Sequence, residues 1–230
     1  MRQTQLGFFK PASPSHGAAR KVAASLRRGF DVACAAGGLI LLTPLFALIA
    51  LAIKWQDGGP VFYRQCRMGK GFRKFRLFKF RSMDPNASSA ILLTGPRDPR
   101  VTPVGRFIRK YKLDELPQLL NVLTGDMQLV GVRPQVERYV RCYPSEYGDL
   151  LQDRPGITGL ASLEYRNEEQ LFGPGSIDEQ YISRILPQKL QLALYYQKTR
   201  TFSSDLEILF RTAFGFKSPA LGWRAGKNTA

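Results

Sequence analysis

Two adjacent carboxylates and three turns with basic residues are the groups of this sequence best suited to chemistry. Asp114 and Glu115 precede an apolar run with helical spacing, and backbone N–H groups and the dipole favour anions at a helix N-terminus. Basic residues stand beside rigid or glycine-rich turns in Lys79-Phe80-Arg81, Gly131-Val132-Arg133-Pro134 and Arg154-Pro155-Gly156. Guanidinium groups held in this way suit phosphate recognition. Because an aspartate can attack phosphorus and a neighbouring glutamate can hold Mg²⁺, the pattern predicts phosphoryl chemistry.

Few other residues could carry a reaction. The single histidine, His16, lies in a Gly, Ala and Ser stretch near the N-terminus, so histidine-based acid–base or metal chemistry is nearly excluded. Cys34, Cys66 and Cys142 are odd in number, far apart and without a CxxC motif, which indicates a reduced compartment and no structural zinc site. Taken singly, the carboxylate pair is typical of a helix start and each arginine motif of a surface turn. Their combination favours catalysis by carboxylates, Arg and Lys.

Residues 32 to 53 form an uncharged run, VACAAGGLILLTPLFALIALAI, which contains Thr43-Pro44. As one helix it would rise roughly 33 Å, enough to cross a bilayer core. Residues 1 to 28 carry six Lys or Arg and no acid, and residues 54 to 81 carry nine and one Asp. Basic flanks mark the cytoplasmic side, so both ends favour the same side. We therefore predict a re-entrant helix that bends at Pro44, with Thr43 capping the backbone groups that the proline frees.

Three other interpretations of this run stay open. A single-pass spanning helix is the strongest of them, because proline-kinked helices do span membranes. A signal peptide would have a shorter apolar core, although Ala50-Leu51-Ala52 resembles a cleavage site. A buried helix of a soluble protein would normally carry a polar face, which this run lacks.

The formal charge of +16 implies an anionic partner. Only Asp31 and Asp57 are acidic among the first 83 residues, so positive charge surrounds the apolar run, where anionic headgroups would lie. This favours a phospholipid membrane as the partner. Residues 72 to 83 interleave basic and aromatic side chains and would also suit a single nucleic-acid strand, but beside the membrane run that interpretation is weaker, and no nucleic acid is expected.

The other predicted elements must position the carboxylates and arginines. A strand is expected from Val61, and residues 72 to 83 are expected to form a strand or an interfacial segment. A surface loop over 84 to 102 and a helix over 103 to 112 follow. Pro117 suits the start and Gly125 the end of the leucine-rich helix after the carboxylates. Ser203-Ser204-Asp205 is expected to cap a final amphipathic helix. The predicted organisation is a flexible leader over 1 to 24, a membrane helix over 25 to 56, a catalytic domain with interfacial helices over 57 to 216 and a tail over 217 to 230.

Several of these motifs resemble, in the same order, those of the bacterial sugar transferases, or monotopic phosphoglycosyl transferases. They are the uncharged run with Thr43-Pro44, FKFRSM at 78 to 83, LDELPQLLNVLTGDMQLVG at 113 to 131, GVRP at 131 to 134, RPGITG at 154 to 159 and SSDLEIL at 203 to 209. The resemblance covers roughly residues 25 to 216. It implies transfer of a sugar-1-phosphate from a nucleotide sugar, commonly a UDP-sugar, to polyprenol phosphate, with release of the nucleoside monophosphate.

The resemblance also implies a location, a fold and residue roles. The location is the cytoplasmic face of the bacterial inner membrane. The fold is α+β, mainly helical and monotopic, with a kinked re-entrant helix and a compact cytoplasmic catalytic domain. Asp114 is the expected nucleophile that becomes phosphoglycosylated, and Glu115 the expected ligand of Mg²⁺. Residues expected to contact phosphate or nucleotide are Arg133 and Arg154, with Lys79, Arg81 and Arg109 as further candidates.

The sequence departs from the family pattern at four positions. Val132 stands where Pro is usual, Thr43 where Ser is common, Leu160 where Trp is frequent and Ala193 where Asp often occurs. The sugar, the glycan pathway and the oligomeric state stay open. Two other functions also stay open: a glycosyltransferase that moves only the sugar, and a membrane-anchored basic module that binds nucleic acid or acidic lipid without turnover.

Overall fold

The computed structural model describes residues 17–84 and 98–216, and side chains from residue 22 onward. Within these ranges the chain is mainly helical, as predicted. The helices are α1 (Gly17–Asp57), α2 (Pro103–Lys110), α3 (Gln118–Thr124), α4 (Glu137–Cys142), α5 (Pro144–Leu150), α6 (Leu160–Glu164), α7 (Ile177–Gln180), α8 (Leu186–Thr199) and α9 (Phe202–Phe214). The strands are β1 (Phe62–Met68), β2 (Lys74–Phe80), β3 (Gln128–Val130) and β4 (Gly156–Thr158). Most of the predicted leader, most of the predicted loop and the whole predicted tail lie outside the described residues.

Helix α1 contains the uncharged run and begins at Gly17, before the predicted boundary at residue 25. By length and composition it could cross a membrane. Pro44 lies inside it. The Thr43 hydroxyl donates to the carbonyl of Leu39 at 2.8 Å, whereas the carbonyl that loses its N–H donor at Pro44 is that of Ile40, four residues before the proline. Thr43 therefore bonds the backbone next to the group that we expected it to cap.

One face of α1 packs against the rest of the chain at both ends of the apolar run. Ala35 is fully buried in a cluster with Val122 and Met127. Ile53, near the other end, is buried in a second cluster with Phe80. The opposite face is apolar and exposed, at Ile40, Leu41, Leu48, Leu51 and Trp55. The helix thus lies along the domain and presents one bare hydrophobic side.

Two small sheets flank α3. Strands β1 and β2 pair antiparallel, with Phe62 opposite Phe80 and Met68 opposite Lys74. This confirms the strand predicted from Val61 and shows that residues 72 to 83 contain a strand. Strands β3 and β4 pair parallel. They approach so closely that a Cβ atom on Gly156 would lie 2.1 Å from the backbone nitrogen of Gly131. Only glycine fits where the two strands approach each other, and this close approach fixes the position of the loop after β3.

Helix α3 is joined to β2 by one buried amide. Asn121 has no exposed surface; its Oδ1 accepts from the Phe78 N–H at 3.0 Å and its Nδ2 donates to the Arg76 carbonyl at 2.8 Å. The predicted helix ends are confirmed, because Pro117 precedes α3 and Gly125 ends it with φ of 91°. The Asn121 bonds therefore set the position of the segment before α3 relative to β2.

Replacing Asn121 by alanine is expected to lower the free energy of unfolding by about 3 kcal/mol, because two buried backbone groups lose their partners. Chemical denaturation of the purified protein in detergent measures this. Gln197→Ala is the control, since its amide donates to the Asp149 carbonyl at an exposed site and should cost less than about 0.5 kcal/mol. Equal losses in the two variants would contradict the assignment.

The cap of α9 differs from the prediction. Thr201 is the N-cap residue and forms a capping box with Ser204, so the cap lies two residues before the predicted Ser203. Asp205 instead accepts from Tyr196 and pairs with Arg200 at 3.0 Å and Arg27 at 3.3 Å. A buried carboxylate needs such partners, and this one ties α9 to the first turns of α1. Along α9, Phe202, Leu206, Phe210 and Phe214 recur every four residues and are exposed.

Candidate active site

A cavity of about 810 Å³ lies between the segment before α3, the loop after β3 and residues 166–172. Asp114 and Glu115 line it, together with Lys79, Arg109 and Arg133. Five of the residues selected from the sequence therefore meet in one place. Basic side chains outnumber acidic ones along its wall, which suits an anionic substrate.

Asp114 lies in a 3₁₀ turn, Leu113–Glu115, that follows an unusual backbone conformation at Lys112. Lys112 has φ of 57°, a left-handed geometry that costs a non-glycine residue energy and tends to occur at functional sites. The Asp114 side chain is 5% exposed, and its Oδ1 has no hydrogen-bond partner within the described residues. Burial raises the pKa of Asp114, although the nearby Lys79 opposes this shift.

Glu115 is in the opposite situation. Its Oε1 accepts from Lys79 Nζ at 2.8 Å, and Arg133 donates to both carboxylate oxygens, with Nη1 at 2.9 Å from Oε2. Burial alone would raise the pKa of Glu115, but the charges of Arg133 and Lys79 outweigh it and hold that pKa well below its usual range. The same contact raises the pKa of Arg133. Glu115 is therefore a carboxylate whose charged form is stabilised by two cations.

Neighbouring carboxylates with environments this different take different chemical roles. The charge of Glu115 is neutralised by two cations. Asp114 is poorly solvated and has an oxygen without a hydrogen-bond donor, so the carboxylate form is more basic than an ordinary aspartate. The arrangement suits Asp114 as a nucleophile and Glu115 as the group that orients the adjacent cations.

Two arginines selected from the sequence lie elsewhere. Arg81 is 5% exposed and donates to Asp57 at the end of α1. Arg154 donates from Nε to the Gly125 carbonyl at 2.6 Å, at the end of α3. Neither side chain lines the cavity that holds Asp114. Because both side chains lie outside this cavity and each donates to another part of the fold, the expected phosphate contacts of Arg81 and Arg154 find no support in this arrangement.

Five basic residues of the cavity wall were missed by the sequence analysis: Arg67, Arg106, Lys110, Lys112 and Arg166. Arg67 donates to the Pro134 carbonyl at 3.2 Å and to Oε1 of Gln65 at 2.6 Å. Burial lowers the pKa of Arg67 to about 10. Arg67 lies just before Gly69 and Gly71, so a glycine-rich turn was present beside it and was overlooked, whereas no glycine stands near Arg166 in the sequence.

The carboxylate oxygens of this site could hold Mg²⁺ only together with oxygens of a bound phosphate ligand. A carboxylate offers about four lone-pair sites, of which Lys79 and Arg133 take three on Glu115. One site on Oε2 is left, and Oδ1 of the preceding residue, Asp114, has no hydrogen-bond partner among the described residues. Magnesium is commonly held by one or two carboxylates plus substrate phosphates. Within residues 17–84 and 98–216, no group of three or more His, Cys, Asp or Glu side chains could hold a metal.

Three positions that depart from the family pattern lie in the core. Leu160 is 1% exposed and packs in the cluster around Val122. Val132 and Ala193 pack in a third cluster with Tyr139 and other residues. None of the three lines the cavity of Asp114, so the departures alter packing around the site and leave its donors unchanged.

Comparison with known proteins gives a consistent result. The model of the bacterial sugar transferase family matches residues 22–218. The exopolysaccharide production protein ExoY of Rhizobium meliloti is 39% identical over 197 residues, covering 79% of this chain and 86% of the relative. The UDP-glucose:undecaprenyl-phosphate glucose-1-phosphate transferase of Caulobacter vibrioides is 39% identical over 214 residues, covering 91% and 75%.

A third relative is the undecaprenyl-phosphate galactose phosphotransferase of Salmonella typhimurium. It is 36% identical over 211 residues, covering 85% of this chain and 41% of the relative. The family match spans α1, the carboxylate pair and α9 together. This chain is a transferase and a member of the bacterial sugar transferase family.

Proposed function

We propose that this protein transfers a sugar-1-phosphate from a UDP-sugar to undecaprenyl phosphate, through a covalent intermediate on Asp114. The observation that carries the proposal is the contrast between Asp114, which is buried with an unpartnered oxygen, and Glu115, which is neutralised by Lys79 and Arg133. Relatives named for glucose and for galactose transfer to undecaprenyl phosphate support both substrate classes. Because those relatives differ in their sugar, the sugar itself is left unspecified. The reaction would be the first membrane step of exopolysaccharide or related glycan assembly.

In the first half-reaction, a carboxylate oxygen of Asp114 attacks the phosphorus that bears the sugar. The bond from that phosphorus to the bridging oxygen breaks, and UMP leaves with the electron pair. Arg133 and Lys79 lie on the same wall and stabilise charge on the phosphoryl oxygens. The product is an acyl phosphate that joins Asp114 to the sugar phosphate.

In the second half-reaction, a phosphate oxygen of undecaprenyl phosphate attacks the same phosphorus. The acyl phosphate bond breaks, a P–O–P bond forms, and the Asp114 carboxylate is regenerated. Mg²⁺ held through Glu115 and the substrate phosphates would neutralise diphosphate charge. The polar cavity bordered by α2 and the carboxylate segment supports the assignment of both half-reactions to one aspartate.

The released nucleotide distinguishes this reaction from its closest alternative. A glycosyltransferase that moves only the sugar would release UDP, whereas phosphosugar transfer releases UMP. Incubating the purified enzyme with undecaprenyl phosphate, Mg²⁺ and a panel of UDP-sugars, followed by nucleotide chromatography, tests this directly. UMP in proportion to lipid product is expected. UDP as the product would refute the proposal.

For the membrane, we infer a monotopic arrangement on the cytoplasmic face of the inner membrane. Support comes from the packing of α1, because Ala35 and Ile53 both contact the same domain. A spanning orientation would carry that domain's polar surface into hydrocarbon, which is costly. The exposed apolar faces of α1 and α9 would lie on the lipid side, and Phe202 of α9 packs against Phe30 of α1.

Cysteine labelling tests this topology. Cys66 is exposed and follows α1; a cysteine introduced at Ser13 would precede it. In variants that retain only one of these cysteines, a membrane-impermeant maleimide should label neither site in intact cells and both after lysis. Native Cys142, also exposed, serves as the control for the catalytic domain. Labelling of Ser13→Cys in intact cells while Cys66 stays protected would support a spanning helix instead.

A further inference from the structure

A second cavity, of about 440 Å³, adjoins the cavity that holds Asp114. The two share part of their walls, including Glu115 and Arg133. At its other side the second cavity is bounded by Leu42 and Leu45 of α1, on either side of Thr43-Pro44. Apolar side chains supply much of the lining, among them Leu113, Leu116, Leu119, Ile157, Leu163 and Ala213. The cavity therefore connects the apolar helix with the charged site.

Arg166 lies in the wall of both cavities. Its Nη1 is buried and has no hydrogen-bond partner within the described residues. The neighbouring acids are already engaged, because Glu168 pairs with Lys189 at 2.6 Å and Glu169 pairs with Arg109 at 3.2 Å. A buried guanidinium nitrogen without an acceptor is costly. This residue is therefore poised for an anion that arrives at the boundary of the two cavities.

We infer that Arg166 binds the phosphate of the lipid acceptor while the second cavity holds the first isoprene units of its chain. This inference rests on the proposed function and assigns a binding residue to its acceptor. Charge complementarity supports this inference. The anionic head of such a ligand matches the Arg166 guanidinium, and its apolar chain matches Leu42 and Leu45 of α1 in the wall of the same cavity. A nucleotide sugar lacks an apolar chain and matches only the first cavity.

The position of Arg166 also explains how one site serves two phosphate ligands. Arg133 is neutralised by Glu115 and faces both cavities. Arg166 has no carboxylate within ion-pair distance among the described residues. An acceptor phosphate held by Arg166 would therefore gain a full charge-assisted contact. The reacting oxygen would approach Asp114 from the side of α1.

Equilibrium binding tests the inference without any turnover. Farnesyl phosphate, farnesol and UDP-glucose serve as probes for the full-length protein in detergent. We expect Arg166→Met to weaken farnesyl phosphate binding by about 10- to 100-fold, as expected for loss of a charge-assisted contact. Binding of farnesol and of UDP-glucose should change by less than about twofold. Arg166→Lys should restore part of the farnesyl phosphate affinity.

Two further variants separate the head from the chain. Ala213 is exposed and lines the second cavity, so Ala213→Trp should weaken farnesyl phosphate and farnesol alike while leaving UDP-glucose binding intact. Arg141 pairs only with Glu137 among the described residues, on an exposed surface outside both cavities, and Arg141→Met is the matched control with no expected effect.

The inference is overturned if the wild type does not bind farnesyl phosphate, if Arg166→Met leaves that affinity unchanged, or if it weakens UDP-glucose equally. In the last case Arg166 would belong to the donor site. Release of UDP by the wild-type enzyme would instead refute the proposed function, while the binding result for Arg166 would stand on its own. The two failures are therefore distinguishable.

Discussion

Replacing Asp114 by asparagine is expected to abolish both the covalent phosphosugar adduct and lipid product, with turnover falling by at least about 10⁴-fold. The amide keeps the size of the side chain but is too weak a nucleophile to attack phosphorus, and losing a nucleophile typically costs this much or more. Intact-protein mass spectrometry after incubation with the UDP-sugar alone detects the adduct. UMP release with undecaprenyl phosphate present measures turnover.

Asp126→Asn is the matched control for this change. Asp126 follows α3 and accepts from the Thr124 hydroxyl at 2.9 Å, and it lines neither cavity. The control should form the adduct at the wild-type rate. A mass increase on the Asp114→Asn variant equal to one sugar phosphate would place the covalent intermediate on another residue.

The second large effect is expected for Glu115→Gln. The amide preserves shape but leaves Lys79 and Arg133 without their shared counter-charge, so we expect turnover to fall by about 100-fold or more. We also expect the free energy of unfolding to fall by about 2 kcal/mol. This loss of stability is smaller than expected for a fully buried ion pair, because the Arg133 side chain is 32% exposed. Chemical denaturation without Mg²⁺ separates this electrostatic role from metal binding.

The pH dependence of stability has a defined sign at this residue. The pKa of Glu115 is lowered in the folded protein, so its contribution is fully present above the ordinary value of 4.5 and is lost as pH falls through the folded-state pKa. Wild-type stability should therefore approach that of Glu115→Gln in acid. A difference between the two that stayed constant across that range would contradict the ion-pair account.

A double-mutant cycle provides the control for the ion pair. In a Lys79→Met background one of the two cations is already gone, so Glu115→Gln should cost less free energy of unfolding than it does in the wild type. Costs that add without coupling would show that Lys79 and Glu115 do not stabilise one another, despite the 2.8 Å distance between Lys79 Nζ and Glu115 Oε1.

Local signals in the sequence were sufficient for much of the framework. The ends of α3 follow from Pro117 and Gly125, the start of β1 follows from the turn before it, and β2 follows in part from alternating side chains. These features depend on backbone preferences that act over a few residues. The N-cap of α9 shows the limit of such local signals. Thr201 and Ser203 are both good capping residues, and only the geometry of the turn identifies Thr201.

The candidate site was partly predictable for a similar reason. The carboxylate pair and the arginine of GVRP could be selected by residue type and turn context, and both line the cavity. Arg81 and Arg154 carried the same kind of signal but are bound to Asp57 and the Gly125 carbonyl. The neighbouring residues in the sequence indicate that a guanidinium has hydrogen-bond acceptors, but they do not identify those acceptors.

Residue types and short spacings were enough to identify the carboxylate pair, the apolar helix with basic flanks and the family resemblance. Long-range packing was needed to show that Lys79 and Arg133, 36 and 18 residues away from Glu115, neutralise that carboxylate. It also showed that Asp114 Oδ1 has no hydrogen-bond partner among the described residues. It also decided that both ends of the apolar run pack on one domain and that Arg166 lies between two cavities. The physical reason is that burial and ion pairing depend on which distant segments the packed chain brings together.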